Sequence, residues 1–306
     1  MSDRSPMFDR SKVFVGITPT GWTNDDFPSL GDDISFGQCV SEMALAGFQG
    51  CSVGHKYPKD PEVLQRELER RGLRVSEPWS STYFTVRDMA ERTVEDFRAS
   101  MAFIKRMGGT SVVVAELGGA VHQHPVPPIA NKPVFDDAQW KALSEGLDTL
   151  GRIAAEDNMR LCYHHHMGTG VMTRAEVDRL MASTDPEVVH LLLDTGHLYW
   201  AGDDPLLMAR AYAGRIKHVH LKNIRRKVME ACNRTHRTFG EAVMAGVFTV
   251  PGDPEGAIDF VPIFRVLAEA DYGGWLMVEA EQDAAKANPL DYARMARAYL
   301  REAAGL

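Results

Sequence analysis

Arg160-Leu-Cys-Tyr-His-His-His166, Val188-Val-His-Leu-Leu-Leu-Asp-Thr-Gly-His197 and Ile216-Lys-His-Val-His-Leu-Lys222 share one design. Each is a short apolar run that finishes on imidazole, carboxylate or amine. Between them lie two longer stretches with helical spacing, Arg174–Ser183 and Pro205–Gly214. Short strand-length runs separated by amphipathic helices read as parallel strands joined by right-handed crossovers. The same alternation continues outward in both directions. It adds strand candidates at Val13–Ile17, Gly47–Val53, Leu73–Glu77, Ser111–Glu116 and Trp275–Glu279. The helical stretches are Ile34–Ala46, Pro61–Arg71, Met89–Met107, Ala138–Asn158, Phe260–Ala270 and Pro289–Ala304. Pro61 sits in the first turn of its helix and Gly72 follows the last, the usual punctuation. Eight strand–helix units with no strand left over predict an α/β fold closed as a (β/α)8 barrel, in preference to an open doubly wound sheet.

The chain has 306 residues and no Pro/Gly/Ser-rich linker or internal repeat, so residues 1–306 are expected to form one barrel domain. A net charge of -8 disfavours a nucleic-acid partner and suits a cation site. The four cysteines show no CxxC spacing, which points to reduced, buried thiols and a cytoplasmic protein. No apolar run approaches the length of a membrane-spanning helix, so no membrane partner is expected. Met1–Lys12 is polar, a lead-in rather than a signal segment. A homo-oligomer is left open. Two long stretches, Gly118–Pro133 and Asn223–Pro251, read as loops that follow strands and therefore belong to the catalytic face of a barrel.

The strand ends carry the chemistry. Strand four ends in Glu116, strand five in His164-His-His166, and strand six in Asp194-Thr-Gly-His197. Strand seven holds His218, His220 and Lys222, and strand eight ends in Glu279-Ala-Glu281. Period-two alternation places His164 with His166, His218 with His220 and Lys222, and Glu279 with Glu281 on common sides. His165 should point into the barrel wall. Each residue also has an ordinary structural reading. A lone histidine can be a hydrogen-bonded wall residue, Asp194 can cap the following helix, and Glu279 can pair with Lys222 or Arg225. Their convergence favours a metal centre, since seven of the eleven histidines fall between residues 164 and 220. Mixed imidazole and carboxylate donors suit Mn2+, Co2+, Zn2+ or Fe2+ better than an oxygen-only Mg2+ site.

The order His164, Asp194 with His197, His220 and Glu279 on strands five to eight resembles the xylose-isomerase-like barrel superfamily. Its usual ligands are Glu, Asp, His and Glu, one from each strand. The resemblance narrows along the chain to the inosose dehydratase family. It is carried by Trp22-Thr-Asn-Asp25, Gly54-His-Lys-Tyr-Pro58, Tyr163-His-His-His-Met-Gly-Thr169, Leu193-Asp-Thr-Gly-His197, His218-Val-His-Leu-Lys222, Gly246-Val-Phe-Thr-Val-Pro-Gly252 and Val278-Glu-Ala-Glu-Gln-Asp283. Asn223 departs from it, where that family more often shows Asp.

The resemblance implies a divalent metal, Mn2+ or Co2+, held by Asp194, His220 and Glu279. His164 stands where the first Glu would be, with His166 or Glu116 as alternatives. It implies a lyase that eliminates water from 2-keto-myo-inositol, a small polyol ketone, to give a trihydroxycyclohexane-1,2-dione in inositol catabolism. Lys222 and His197 would contact the ketone or its hydroxyls, and Glu116, His166 and Glu281 are the acid/base candidates. Around the rim, Trp22, Asn24, Asp25, Lys56, Trp79 and Arg225 are expected to bind substrate, with a tryptophan as ring floor. Thr249-Val-Pro-Gly-Asp253 reads as a turn, a candidate lid. An isomerase or epimerase acting through the same enediolate is the alternative. A family-two AP endonuclease would need more ligands on early strands than Asp25, His55 and Glu77, and the charge is wrong for DNA. A sugar-binding module would not need so many convergent ionisable groups.

Overall fold

Capping residues decide where the helices of the barrel begin. Ser35, Asp60 and Asn288 each place a side-chain oxygen on a free backbone amide of the next helix, ahead of Phe36–Ala46, Pro61–Glu69 and Pro289–Ala304. Asp136 with Gln139 and Thr173 with Glu176 form reciprocal capping boxes at the starts of Asp137–Glu156 and Arg174–Ser183. Helices Ala90–Arg106, Pro205–Tyr212 and Phe260–Glu269 complete the outer ring. All eight lie within a few residues of the expected stretches.

The computed structural model describes residues 7–306. The lead-in expected over Met1–Lys12 lies outside the described residues as far as residue 6. The strands are β1 (Val13–Ile17), β2 (Gly50–Cys51), β3 (Arg74–Val75), β4 (Trp79–Thr82), β5 (Ser111–Glu116), β6 (Arg160–His164), β7 (Val189–Asp194), β8 (Ile216–Leu221), β9 (Asn223–Ile224), β10 (Phe248–Thr249) and β11 (Gly274–Val278). Nine of them form one parallel sheet in the order β3-β2-β1-β11-β8-β7-β6-β5-β4. Its two edges, β3 and β4, are consecutive in the chain, so the sheet closes through the segment that joins them. Ser76 donates to Cys51 O on one side, while Pro78 O accepts from Val113 N on the other. The third barrel strand therefore runs from Arg74 to Thr82. It is interrupted at Pro78, which has no N–H to give to a ladder. The expected strand Leu73–Glu77 is its first half only.

The expected loop Asn223–Pro251 is corrected by the structure. It folds into antiparallel β9 and β10, paired Phe248 to Ile224 and Thr249 to Asn223, around helices Arg226–Arg234 and Phe239–Met244. Phe239 and Phe248 are its buried anchors.

Alternation sorts each barrel strand into two faces. Val112, Val114, Leu161, Tyr163, Leu191, Leu193 and Val219 join the large core between strands and helices. Val113, Cys162 and Leu192 form a separate small cluster inside the barrel. Continuing the inner parity along the strands leads to His164, Asp194 and His220.

Candidate metal centre

His164, Asp194, His220 and Glu279 each offer one donor atom, and the four atoms lie within 4.8 Å of one another. They come from β6, β7 and β8 and from the residue after β11, one apiece. Asp194 Oδ2 stands 3.3 Å from His164 Nε2 and 3.7 Å from His220 Nδ1. Glu279 Oε2 contacts His220 Nδ1. The other oxygen of Asp194 accepts the backbone amide of His197 at 2.8 Å and caps the short helix Thr195–Trp200. The capping role and a ligand role are thus compatible, because each uses a different oxygen. His220 Nδ1 and Glu279 Oε2, which meet in this cluster, are buried without a well-formed hydrogen bond. Buried polar atoms are nearly always paired, so a cluster of unpaired donors is the mark of a site built for a ligand. The donor set fits a divalent cation.

A layer of charge stands behind this cluster. Lys222 is fully buried; its Nζ lies 2.8 Å from His197 Nε2 and 2.9 Å from Glu281 Oε1. The same ammonium is 3.4 Å from Asp194 Oδ2 and 3.6 Å from Glu279 Oε2. Gly196 makes room for it, since a Cβ there would come within 2.5 Å of Lys222 Cγ. Burial works against the charged form of Lys222, but Asp194, Glu279 and Glu281 outweigh it and raise its pKa. Burial would likewise raise Asp194, yet Lys222, His197, the bond from His164 and the nearby His220 ring hold it well below the usual carboxylate range. Glu281 goes the other way. Burial, aided by the neighbouring carboxylates Glu279 and Asp194, outweighs Lys222 and pushes it up to about 7.

His166 and His197 form a second pair with ring centroids 3.9 Å apart. His166 Nδ1 donates to Met167 O at 2.9 Å, because a carbonyl can only accept. Its Nε2 is then the lone-pair nitrogen. Burial, followed by the charges of His122, His164 and Lys222, pushes His166 well below its ordinary value and keeps it neutral. His165 points the other way, into the wall, where Nε2 accepts the Asp194 amide at 3.3 Å.

A cavity of about 370 Å3 opens over these groups, with His164, His166, His220, Glu279 and Glu281 on its floor and Asn24, Trp79 and His122 on its walls. It lies where barrel enzymes place their active sites, at the C-terminal ends of the strands. No helix among the described residues is long and apolar enough to cross a membrane.

The sequence profile of the xylose isomerase-like TIM barrel matches residues 40–303. The chain is 50% identical over 301 residues to inosose dehydratase of Geobacillus thermodenitrificans, covering 98% of this chain and 100% of that one. It is 49% identical, with the same coverage, to inosose dehydratase of Clostridium tetani. The chain belongs to the inosose dehydratase family of xylose isomerase-like barrels. Among solved structures, the IOLI protein with a binding zinc atom superposes with a TM-score of 0.70 at 15% identity, covering 95% of this chain and 98% of that one. At that identity the likeness is one of fold.

Within this member of the inosose dehydratase family, the residues expected from sequence separate into four groups. His164, Asp194, His220, Glu279, His166 and Glu281 converge as described. Lys222 and His197 join them from one layer back; neither lines the cavity, so the expected direct contact with a ketone gives way to contacts with Glu281, Glu279 and Asp194. Glu116, Trp22, Lys56 and Arg225 are corrections. Glu116 has the outward parity of Val112 and Val114. Its two oxygens take bonds from Thr82 Oγ1 (2.8 Å), Phe84 N (3.0 Å), Thr85 N (3.2 Å), Thr85 Oγ1 (2.8 Å) and Gly118 N (3.3 Å). A carboxylate so saturated holds a loop and has no lone pair left for acid/base work or for a metal. Trp22 is buried and donates its indole N–H to Glu42 at 2.7 Å, away from the cavity. Lys56 spends its ammonium on the carbonyls of Gly31, Asp32 and Ile34. Arg225 locks the folded excursion to Asp253, Gly246 O and Tyr292, which also makes the Thr249–Asp253 turn an anchored segment.

Asn24 and Asp25 do line the cavity, although Asp25 is engaged by His55 at 2.8 Å. Trp79 also lines it, 43% exposed, with its ring edge-on to His164 at 5.5 Å. Among the cavity residues absent from the expected set are Glu77, His122 and Asp26. Glu77 ends the third apolar run, the same signal that marked the other strand ends. His122 lies in the His- and Pro-rich stretch Gly118–Pro133, and Asp26 faces it at 3.7 Å.

Proposed function

We propose that the chain is an inosose dehydratase, removing one water from 2-keto-myo-inositol to give a trihydroxycyclohexane-1,2-dione in inositol catabolism. The observation that carries this reading is the 49–50% identity over 98% of the chain to full-length proteins bearing that name. Asp194, His220, Glu279 and His164 would hold one divalent ion, Mn2+ or Co2+. The buried unpaired donors support this, as does the zinc bound by the IOLI protein of the same fold. When bound, the ion supplies Lewis-acid stabilisation of negative charge on neighbouring substrate oxygens.

The chain's own groups supply the proton transfers. Elimination requires a base for the hydrogen α to the ketone and an acid for the hydroxyl leaving the β carbon. His166 is the base in this reading: it is neutral, its Nδ1 is committed to Met167 O, and its Nε2 lone pair belongs to a ring on the cavity floor. Glu281 is the acid, a carboxyl pushed up to about 7 and so substantially protonated near neutrality. Lys222 positions Glu281 by donating to Oε1 and orients His197 by donating to Nε2. The α proton goes to His166, the leaving hydroxyl takes its proton from Glu281 and departs as water, and the resulting enol tautomerises to the dione.

Substrate recognition needs polar contacts around a ring with apolar faces. Asn24 Nδ2 and His122 Nδ1 are buried, line the cavity and have no partner, which suits them to substrate hydroxyls. The exposed face of Trp79 serves as ring floor.

Incubation of the protein with 2-keto-myo-inositol and Mn2+ or Co2+, followed by mass spectrometry, tests the reading. Loss of one water is expected. Conversion to an isomer of unchanged mass would replace it with an isomerase or epimerase.

A further inference from the structure

Glu77 sits in the break between β3 and β4, beside Pro78, with its side chain buried inside the barrel and on the cavity floor. Its two oxygens face the two histidines of β8. Oε2 is 3.3 Å from His218 Nε2, and Oε1 is 3.6 Å from His220 Nε2. Neither ring nitrogen of His218 or of His220 has a hydrogen-bond partner, and Glu77 Oε2 has none either. The three groups therefore have chiefly one another.

His220 is thus flanked on both sides. Its Nδ1 faces Glu279 Oε2 and, at 3.7 Å, Asp194 Oδ2, which are the other proposed ligands. Its Nε2 faces Glu77. A neutral imidazole lends a lone pair from one nitrogen only when its proton sits on the other, and the group that accepts that proton sets which nitrogen binds. We infer that Glu77 is the positioning residue for His220: its carboxylate, 3.6 Å from Nε2, favours the ring proton on that nitrogen and so presents Nδ1 to a cation shared with Asp194 and Glu279. The inference rests on the reading of those residues as metal ligands. His218, two residues earlier on the same strand face, steadies the far oxygen of Glu77. Carboxylate partners of this kind usually change metal affinity about 10–100-fold when removed.

Glu77, His218 and His220 also present donor atoms within 4.8 Å of one another, which raises the alternative of a second cation. Occupying both centres at once would require His220 to coordinate through both nitrogens as an imidazolate. Loss of the second ring proton is a far costlier ionisation than the ordinary loss of the first. One cation with Glu77 as its supporting carboxylate is the simpler chemistry.

The test begins with protein stripped by EDTA and titrated with Zn2+ and with Mn2+ by calorimetry, comparing wild type, Glu77→Gln and Glu77→Ala. One ion per wild-type chain is expected. Glu77→Ala should bind it about 10–100-fold more weakly. Glu77→Gln should fall between, because its amide oxygen still favours the proton on Nε2. Wild-type affinity in Glu77→Ala overturns the inference and leaves the metal reading intact, as does a stoichiometry of two ions that drops to one in that variant. No binding to the wild type removes the metal reading and this inference with it. A measurement on the unaltered chain guards against a variant that fails to fold. In the Zn2+-loaded protein, long-range proton–nitrogen NMR of the His220 ring, assigned with His220→Asn, should show the proton on Nε2. A proton on Nδ1 refutes the assignment.

Discussion

The inner and outer walls of the same strands treat buried polar groups in opposite ways. On the outer wall, Glu116 is as buried as any residue in the protein, and five donors within 3.3 Å satisfy it. His165, on the same side, accepts one backbone amide through Nε2 and leaves only Nδ1 without a partner. On the inner wall, His220 and Glu279 are also buried, yet His220 has no partnered nitrogen and Glu279 Oε2 no hydrogen bond. Hydrogen-bonded burial of a charge stabilises a fold, whereas burial with lone pairs left over costs stability and is retained where a ligand completes the set. Two carboxylates at strand ends thus have different jobs, and side-chain parity decides which is which.

The comparison breaks most sharply at Asp194. Replacing it with Ala removes a proposed ligand and the cap of helix Thr195–Trp200 together. Metal-assisted charge stabilisation is worth several kcal/mol, so turnover should fall by about 10³-fold or more at about 1.36 kcal/mol per decade. Metal content measured by elemental analysis after dialysis should fall with it. Retention of wild-type metal content would remove Asp194 from the ligand set.

Glu116→Ala should act on the other side of the ledger. It strands the Thr85 hydroxyl and three backbone amides around the vacated space, while the Thr82 hydroxyl keeps Ala115 O as its acceptor. With hydrogen bonds to a charged group worth about 1.5–3 kcal/mol each and partial relaxation, we expect about 3–5 kcal/mol lost in urea unfolding. Metal affinity of the folded fraction should stay within about threefold of wild type, a change too small to be a lost ligand's. A variant of normal stability that no longer binds metal would reverse the roles assigned to the two walls.

Much of this division is legible in the sequence, because alternation is a local rule. His164 with His166, His220 with Lys222, and Glu279 with Glu281 follow from spacing alone, and apolar runs of strand length between capped helices carry the barrel. Glu116 obeys the same rule, since it shares parity with Val112 and Val114; only its position at a strand end made it look functional. Trp79–Thr82 is harder to see. Trp-Ser-Ser-Thr is no apolar run, and the strand is held by its pairing with β5 rather than by its own composition. Helix Arg226–Arg234 buries only Cys232, so nothing in its pattern announces a helix. Trp22, Lys56 and Arg225 lie outside the regular strands and helices, where no period says which way a side chain points. Each found its partner through a long-range contact: Glu42, the carbonyls of residues 31–34, and Asp253 with Tyr292.

The smallest effect should come from Glu281, which sits on the inner wall but takes a bond from Lys222. Burial raises its carboxyl from an ordinary 4.5 to about 7 in the fold. Between those values the folded chain holds a proton that the unfolded chain has released, so the contribution of Glu281 to stability falls as pH rises through this window. One group can contribute a slope of at most about 1.4 kcal/mol per pH unit. Asp194 and Glu279, whose folded values are lowered, contribute in the opposite direction, but theirs is lost only as pH falls below the ordinary carboxylate range. His164, His165, His166, His190 and His197 are lowered in the fold and add a rising contribution over the same range, so the readout is a difference. In urea unfolding of EDTA-stripped protein from pH 5 to pH 7, the stability of Glu281→Gln relative to wild type should rise with pH, by at most about 1.4 kcal/mol per pH unit. An unchanged slope in that variant would mean that Lys222 keeps Glu281 ionised throughout. Glu281 would then be a satisfied carboxylate like Glu116, and the acid in the proposed elimination would have to be another group.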